Sequence, residues 1–216
     1  MKKVNKLIFF ALLYSSVALS QGFNVKAKGN QNFYFQDNKG RNQATFHSIT
    51  ALDEVDGMSN KISGQVSFNV SDVKNTLKGE ITIPTASLKT GISMRDKDLK
   101  EPKWLDAEKY PTISFTIKKV LDIKQLAPNK LDVKVLGDFN LHGVTNEITV
   151  EATLIYLDES PATKAREPGD LLGVTAKFPI TLSKYNIQNM VLGTRVADKI
   201  NLEANIVGTN KPPSLN

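Results

Sequence analysis

Apolar and polar residues alternate with a period of two over most of the chain. Ile62, Gly64, Val66, Phe68 and Val70 share one phase, with polar residues between most of them. Ile81 and Ile83 follow, then Ile113, Phe115 and Ile117. Leu131, Val133, Val135, Gly137, Phe139 and Leu141 form the longest such run, and Ile148 to Tyr156, Leu172 to Leu182 and Ile200 to Ile206 repeat it. With Ala44 to Thr50 added, the pattern predicts about eight half-buried strands of antiparallel character. Asn140 to Thr145 joins two of the long runs directly, as a hairpin would.

Long antiparallel strands in this number fit a closed barrel better than an open sheet, because closure removes unpaired edges. The predicted fold is therefore all-β, an eight-stranded antiparallel barrel with room for packed side chains or one small ligand. Two stretches break the alternation. Met94 to Tyr110 has helix-forming residues interrupted by Pro102, which predicts a helical connection of two short helices. Leu157 to Leu171 contains Pro161, Pro168 and Gly169 and reads as a long loop, of the kind that is often a lid or mobile.

The first 20 residues differ from all of this. Lys2, Lys3 and Lys6 precede an apolar run from Leu7 to Ala18, and Ala18 and Ser20 are small residues two apart. That is the layout of a secretory signal peptide cleaved after Ser20, which predicts a periplasmic or secreted protein. The run is short for a membrane span, and no later stretch reaches ~18 consecutive apolar residues, so no integral membrane anchor is expected. The expected organisation is a signal peptide over 1–20, a polar lead over 21–42, a barrel over 43–207 and a disordered tail over 208–216.

The signal also changes the reading of charge. The chain of 216 residues carries a formal net charge of +6, which invites a nucleic-acid partner. Three of those charges belong to the signal. The remaining 196 residues carry 25 basic against 22 acidic side chains with no long block of one sign, so no nucleic-acid binding is expected. The absence of cysteine excludes a disulfide framework and a cysteine nucleophile.

Catalytic chemistry is hard to find. The hydrolase elbow G-x-S-x-G is missing, and the two histidines, His47 and His142, stand in none of the spacings that mark metal sites. Neighbouring carboxylates such as Asp53 and Glu54, or Asp96 and Asp98, read as solvated charges, and Lys118, Lys119, Lys124, Lys130 and Lys134 as the outer face of a hairpin. No catalytic residue, no metal and no resident cofactor is expected. What remains is apolar volume. Phe68, Phe115, Phe139 and Phe178 share the inward phase of four strands, and they either fill a core or line a cavity. Small residues in the same phase, Gly64, Gly137, Ala152, Ala176 and Ala204, favour a cavity.

Two ordered motifs carry a family resemblance. Ser87-Leu88-Lys89-Thr90-Gly91, Met94 to Leu99 and Trp104 to Phe115 resemble one signature of the YceI-like family, and Gly137 to Thr145 resembles a second, downstream signature. The resemblance implies an extended lipocalin-like barrel in an exported bacterial protein that holds a polyisoprenoid, such as a quinone or prenyl diphosphate. The first signature commonly has His where this chain has Asp98, a residue that is anionic at neutral pH. The expected ligand-binding residues are Phe68, Ile81, Phe115, Phe139, Leu154 and Phe178 on the strands, with Trp104 and Arg95 from the first motif. The expected partner is an apolar lipid, and a homodimer is compatible with the pattern. A protein-interaction module with a packed barrel is the alternative.

Overall fold

The computed structural model describes residues 21–213, so the expected signal peptide lies outside the described residues. Ten strands form one antiparallel sheet: β1 (Asn30–Tyr34), β2 (Gln43–Ile49), β3 (Glu54–Ser59), β4 (Ser63–Asn69), β5 (Lys78–Pro84), β6 (Thr112–Ala127), β7 (Lys130–Leu141), β8 (Val144–Leu157), β9 (Leu171–Thr181) and β10 (Lys199–Thr209). Their hydrogen-bonded order is β1-β4-β5-β6-β7-β8-β9-β10-β2-β3. A further pairing of β1 with β10, through Tyr34 and Thr209, closes eight of them into a barrel.

The two extra strands follow from how β10 is covered. Its C-terminal end faces β1, whereas Asn201 to Asn205 face β2, so β1 and β2 run along one edge with residues 35–42 looping out between them. β3 pairs with β2 while β4, next in the chain, pairs with β1 and β5. At this end β3 is tied across to the segment after β5 by two backbone bonds: Met58 N–H to the Lys89 carbonyl at 2.7 Å and Lys89 N–H to the Met58 carbonyl at 2.9 Å.

The long β7–β8 hairpin turns on His142 and Gly143, with φ of 53° and 72°. Positive φ at both positions matches the right-handed twist of the flanking strands, and glycine supplies one of them without strain. β6 is much longer than its alternation over Ile113 to Ile117 predicts. Register shifts interrupt it between Ile117 and Lys119, Val120 and Asp122, and Gln125 and Ala127. Each shift resets which side chains face inward, so the period-two signal is lost where the strand continues.

Apolar burial divides into two groups. At the end bearing the β6–β7 turn, Phe23, Phe33, Phe35, Phe68 and Tyr156 pack with Leu131 and Leu172 into a closed floor. Phe33 is fully buried, stacked on Phe68 at 5.6 Å and edge-on to Tyr156 at 5.5 Å. The Tyr156 hydroxyl donates to Asp170 at 2.6 Å, and burial, reinforced by that carboxylate, holds the phenol proton well beyond its ordinary range. The second group lies toward the β7–β8 turn and includes Leu105, Ile113, Phe139, Leu141, Tyr185 and Ile187.

Three boundaries move relative to the sequence expectation. The lead over 21–42 supplies β1 and three floor phenylalanines, so the barrel begins well before residue 43. The expected disordered tail begins as strand, since β10 runs to Thr209 and Asn210 N–H bonds to the Asp170 carbonyl at 3.0 Å. Of the two helices expected between Met94 and Tyr110 only α2 (Ser93–Asp98) forms; beyond it, after Pro102, the chain continues as turns. Two further single-turn helices flank the barrel, α1 (Val73–Thr76) and α3 (Pro161–Lys164). The 157–171 loop is ordered by α3, whose capping box joins Ser160 and Thr163, and it lies at the floor end rather than over an opening. Among the described residues no helix is long and apolar enough to cross a membrane.

Candidate ligand cavity

A cavity of about 1010 Å³ occupies the barrel from the floor to the opposite end, at the top of the ~300–1,000 Å³ range of small-molecule sites. Alternation explains its walls. On β9 the lining runs through Leu172, Val174, Ala176, Phe178 and Ile180, and on β7 through Val133, Val135, Phe139 and Leu141. The intervening residues face outward, where Lys134 pairs with Glu151 at 3.2 Å and Lys118 with Glu147 at 2.9 Å.

Width is set by a row of small residues. Ala44 faces Ala204, Ala204 faces Ala176, and Ala176 faces Ala152, in direct register across β2, β10, β9 and β8. All four line the cavity. Aromatic side chains would fill this wall; methyl groups leave it open. The glycines expected to do the same do not. A Cβ at Gly137 would collide with the Phe115 ring, and one at Gly64 would meet the backbone of β5. Those two positions admit a close approach of neighbours and add no space.

Seven of the eight expected contact residues line the cavity: Ile81, Phe115, Phe139, Leu154 and Phe178 on the wall, Trp104 and Arg95 near the opening. Phe178 lies 5.7 Å from Phe139 and 6.4 Å from Phe115, ring centre to ring centre. These rings meet without sealing the interior, because lining residues continue on both sides of each along the strands. Phe68 is the correction. It points inward as expected but lies in the floor, 2% exposed between Phe33 and Phe23. Strand phase tells which face a side chain takes and says nothing of its height in the barrel.

The opening is framed by three connections: the β2–β3 turn, the segment from Leu88 to Lys103, and the segment from Gln188 to Val196. The last of these carries no alternation and no recognisable motif, and sequence reasoning missed it. Polar groups gather here. Lys103 pairs with Asp98 at 3.2 Å, and Arg195 with Asp53 at 3.3 Å. Asp98, the position where the resembled family commonly has His, is thus neutralised by a lysine. Arg95 lines the opening with no ion pair among the described residues.

Asp96, its neighbour on α2, is committed to holding the loop. Its carboxylate accepts from the Thr90 N–H at 2.5 Å and the Thr90 hydroxyl at 2.7 Å. The backbone bond first, then the hydroxyl, pull its pKa below the ordinary carboxylate value. A lowered folded-state pKa stabilises above the unfolded value and stops doing so as pH falls through the folded one. Asp96→Asn should therefore speed amide exchange over residues 90–98 roughly tenfold at neutral pH, with the unfolding temperature nearly unchanged. The wild type should show the same loosening only below about pH 4. Exchange at pH 7 equal in the two proteins would show that the carboxylate does not hold the loop.

The histidines lie elsewhere. His142 Nδ1 faces the Tyr185 carbonyl at 3.0 Å and its ring packs against Tyr110 at 4.6 Å. His47, Glu54 and Asp56 cluster on the outer face of the β2–β3 hairpin with their ligand atoms within 4.8 Å of one another. Here Nδ1 of the ring faces Asp56 and Nε2 faces Glu54 at 3.6 Å, so both nitrogens are engaged by carboxylates, away from the cavity.

Comparison with known proteins agrees with this architecture. Residues 34–208 match the family model described as the YceI-like domain. A UPF0312 protein of Vibrio vulnificus (strain YJ016) is 29% identical over 180 residues, covering 82% of this chain and 87% of the relative. Another from Vibrio campbellii is 28% identical over 210 residues, covering 96% and 100%. Among solved structures, Burkholderia cenocepacia BcnA superposes with a TM-score of 0.60 at 21% identity, over 78% of this chain and 97% of that one. A polyisoprenoid binding domain from Saccharophagus degradans, implicated in plant cell wall breakdown, gives 0.60 at 13% identity over 85% and 99%.

Proposed function

Because the chain belongs to the YceI-like family, we propose that it is a non-catalytic carrier that holds a long apolar isoprenoid, or a lipid of similar shape, inside its barrel. The observation that carries this reading is the cavity of about 1010 Å³ with apolar walls, kept wide by four aligned alanines. Apolar burial at ~25 cal/mol per Å² drives binding, so affinity grows with tail length until the cavity is full. Arg95 at the opening, which has no ion pair among the described residues, suits an anionic or carbonyl-bearing head group. A structural relative described as polyisoprenoid-binding supports the same ligand class. The ligand is reversible cargo, and no covalent step is required of any residue.

The basic, apolar, small-residue layout of residues 1–20 supports export, which makes the carrier periplasmic or secreted. A packed barrel acting only as a protein-interaction module fits less well, since its interior would have to be filled. Mass spectrometry of organic extracts from the purified protein should reveal a prenyl lipid. Titration with prenyl quinones of increasing tail length should give a stepwise rise in affinity. An empty barrel together with no binding across that series would overturn the carrier reading.

A further inference from the structure

Eight large apolar side chains stand exposed among the described residues, and their distribution is uneven. Of the five most exposed, four belong to the three connections that frame the cavity opening, and the fifth, Ile49, ends β2 where the β2–β3 turn begins. Met190 is 98% exposed, Met94 78% and Leu52 74%, followed by Ile49 and Ile92. The other three, Leu121, Leu126 and Leu157, are less exposed and lie on the long strands β6 and β8. Methionine and leucine projecting into water at one end of a protein is an interaction surface, not the scatter of a monomer surface.

What it meets is indicated by two further observations. First, the exposed rim is continuous with the interior: Ile92, Met94 and Met190 line the cavity as well as the outside. A tail leaving the barrel through water exposes every carbon to solvent, whereas one leaving along this rim need not meet water at all. Second, the rim's charges favour an anionic partner. Across the three connections six cations, Lys89, Arg95, Lys97, Lys100, Lys103 and Arg195, outnumber four carboxylates, Asp53, Asp96, Asp98 and Glu101, and two of those carboxylates are paired, Asp53 with Arg195 and Asp98 with Lys103. Arg95 and Lys97 on α2 make no ion pair among the described residues, beside Met94. Flexible apolar side chains flanked by free cations match the boundary of a bilayer that carries anionic lipid.

We propose that the cavity rim docks on an anionic lipid bilayer, inserting Leu52, Met94 and Met190 so that cargo passes between membrane and barrel without crossing water. This rests on the carrier reading for its purpose, but docking can be measured without cargo. The probe is isoprenoid-free vesicles, either phosphatidylcholine alone or phosphatidylcholine mixed with phosphatidylglycerol. The test variant is Ile49→Asp with Leu52→Asp, two rim positions outside the cavity lining.

The wild-type protein should co-sediment with mixed vesicles, and less with phosphatidylcholine alone. The double variant should lose at least tenfold in vesicle affinity while keeping its unfolding temperature and its affinity for a prenyl quinone in detergent. No association of the wild type with either vesicle, or equal association of wild type and variant, would overturn the proposal. So would a wild-type dimer in solution that the variant converts to monomer, with vesicles ignored, because the rim would then cover a second copy. Vesicle docking combined with failure to bind any prenyl quinone would leave docking standing and refute the carrier reading instead.

Discussion

Ala176→Trp is expected to abolish binding of long prenyl lipids while leaving the barrel folded. Ala176 sits in the middle of the alanine row, with Ala152 on one side and Ala204 on the other, and its methyl group faces open volume. An indole placed there lies in space that the cargo would use. Each five-carbon unit it excludes forfeits on the order of 4 kcal/mol of apolar burial, at ~0.8 kcal/mol per carbon. That is a loss of well over a hundredfold per unit. The backbone ladder is indifferent to the change, and the usual penalty for overpacking applies where there is no room to expand into. Binding should be measured by quinone titration, with thermal unfolding as the control. A tryptophan variant that binds a long prenyl quinone as tightly as the wild type would show that cargo does not occupy this cavity.

The opposite end should respond in the opposite way. Phe33→Ala removes a fully buried ring that is stacked on Phe68 and edge-on to Tyr156, where the surrounding strands cannot collapse to fill the gap. Truncations of this kind cost about 3–5 kcal/mol. For a domain of this size each kcal/mol lowers the melting temperature by roughly 2–4 °C. The expected result is a melting temperature about 10 °C lower. Quinone affinity at a temperature where both proteins are folded should change little, because Phe33 does not line the cavity. A melting temperature equal to that of the wild type would mean that the aromatic floor contributes nothing to stability.

These two variants separate what the sequence disclosed from what it did not. The walls were legible, because a strand with one buried face must alternate, and β7, β8 and β9 do so along most of their length. Ala152, Ala176 and Ala204 were legible as small and inward. Their alignment into one row was not, since register depends on how neighbouring strands slide past each other. Phe68 was assigned to the correct face and the wrong depth for the same reason.

The floor was hidden because its residues come from a polar lead. Phe33 is the one apolar side chain buried by the short strand Asn30–Tyr34, too sparse a signal for any periodicity. β3 was missed likewise: its inward residues are Val55, Gly57 and Ser59, only one of them a large apolar side chain, and Gly57 is glycine because the Phe46 ring occupies the place of its side chain. The opening was the least legible part. Arg95 and Trp104 were found through a motif, whereas Met190 and Arg195 belong to a segment whose position is set by β9 and β10 and by no pattern of its own.

The clasp between Met58 and Lys89 bears on how freely that opening can change. Both of its bonds run between main-chain groups, which every residue except proline supplies in full. The side chains of the segment after β5 are thereby released from the duty of attaching it. A different set of rim residues, suited to another surface or another head group, could hang from the same two bonds without altering the barrel beneath. Proline at either position is the substitution this arrangement forbids.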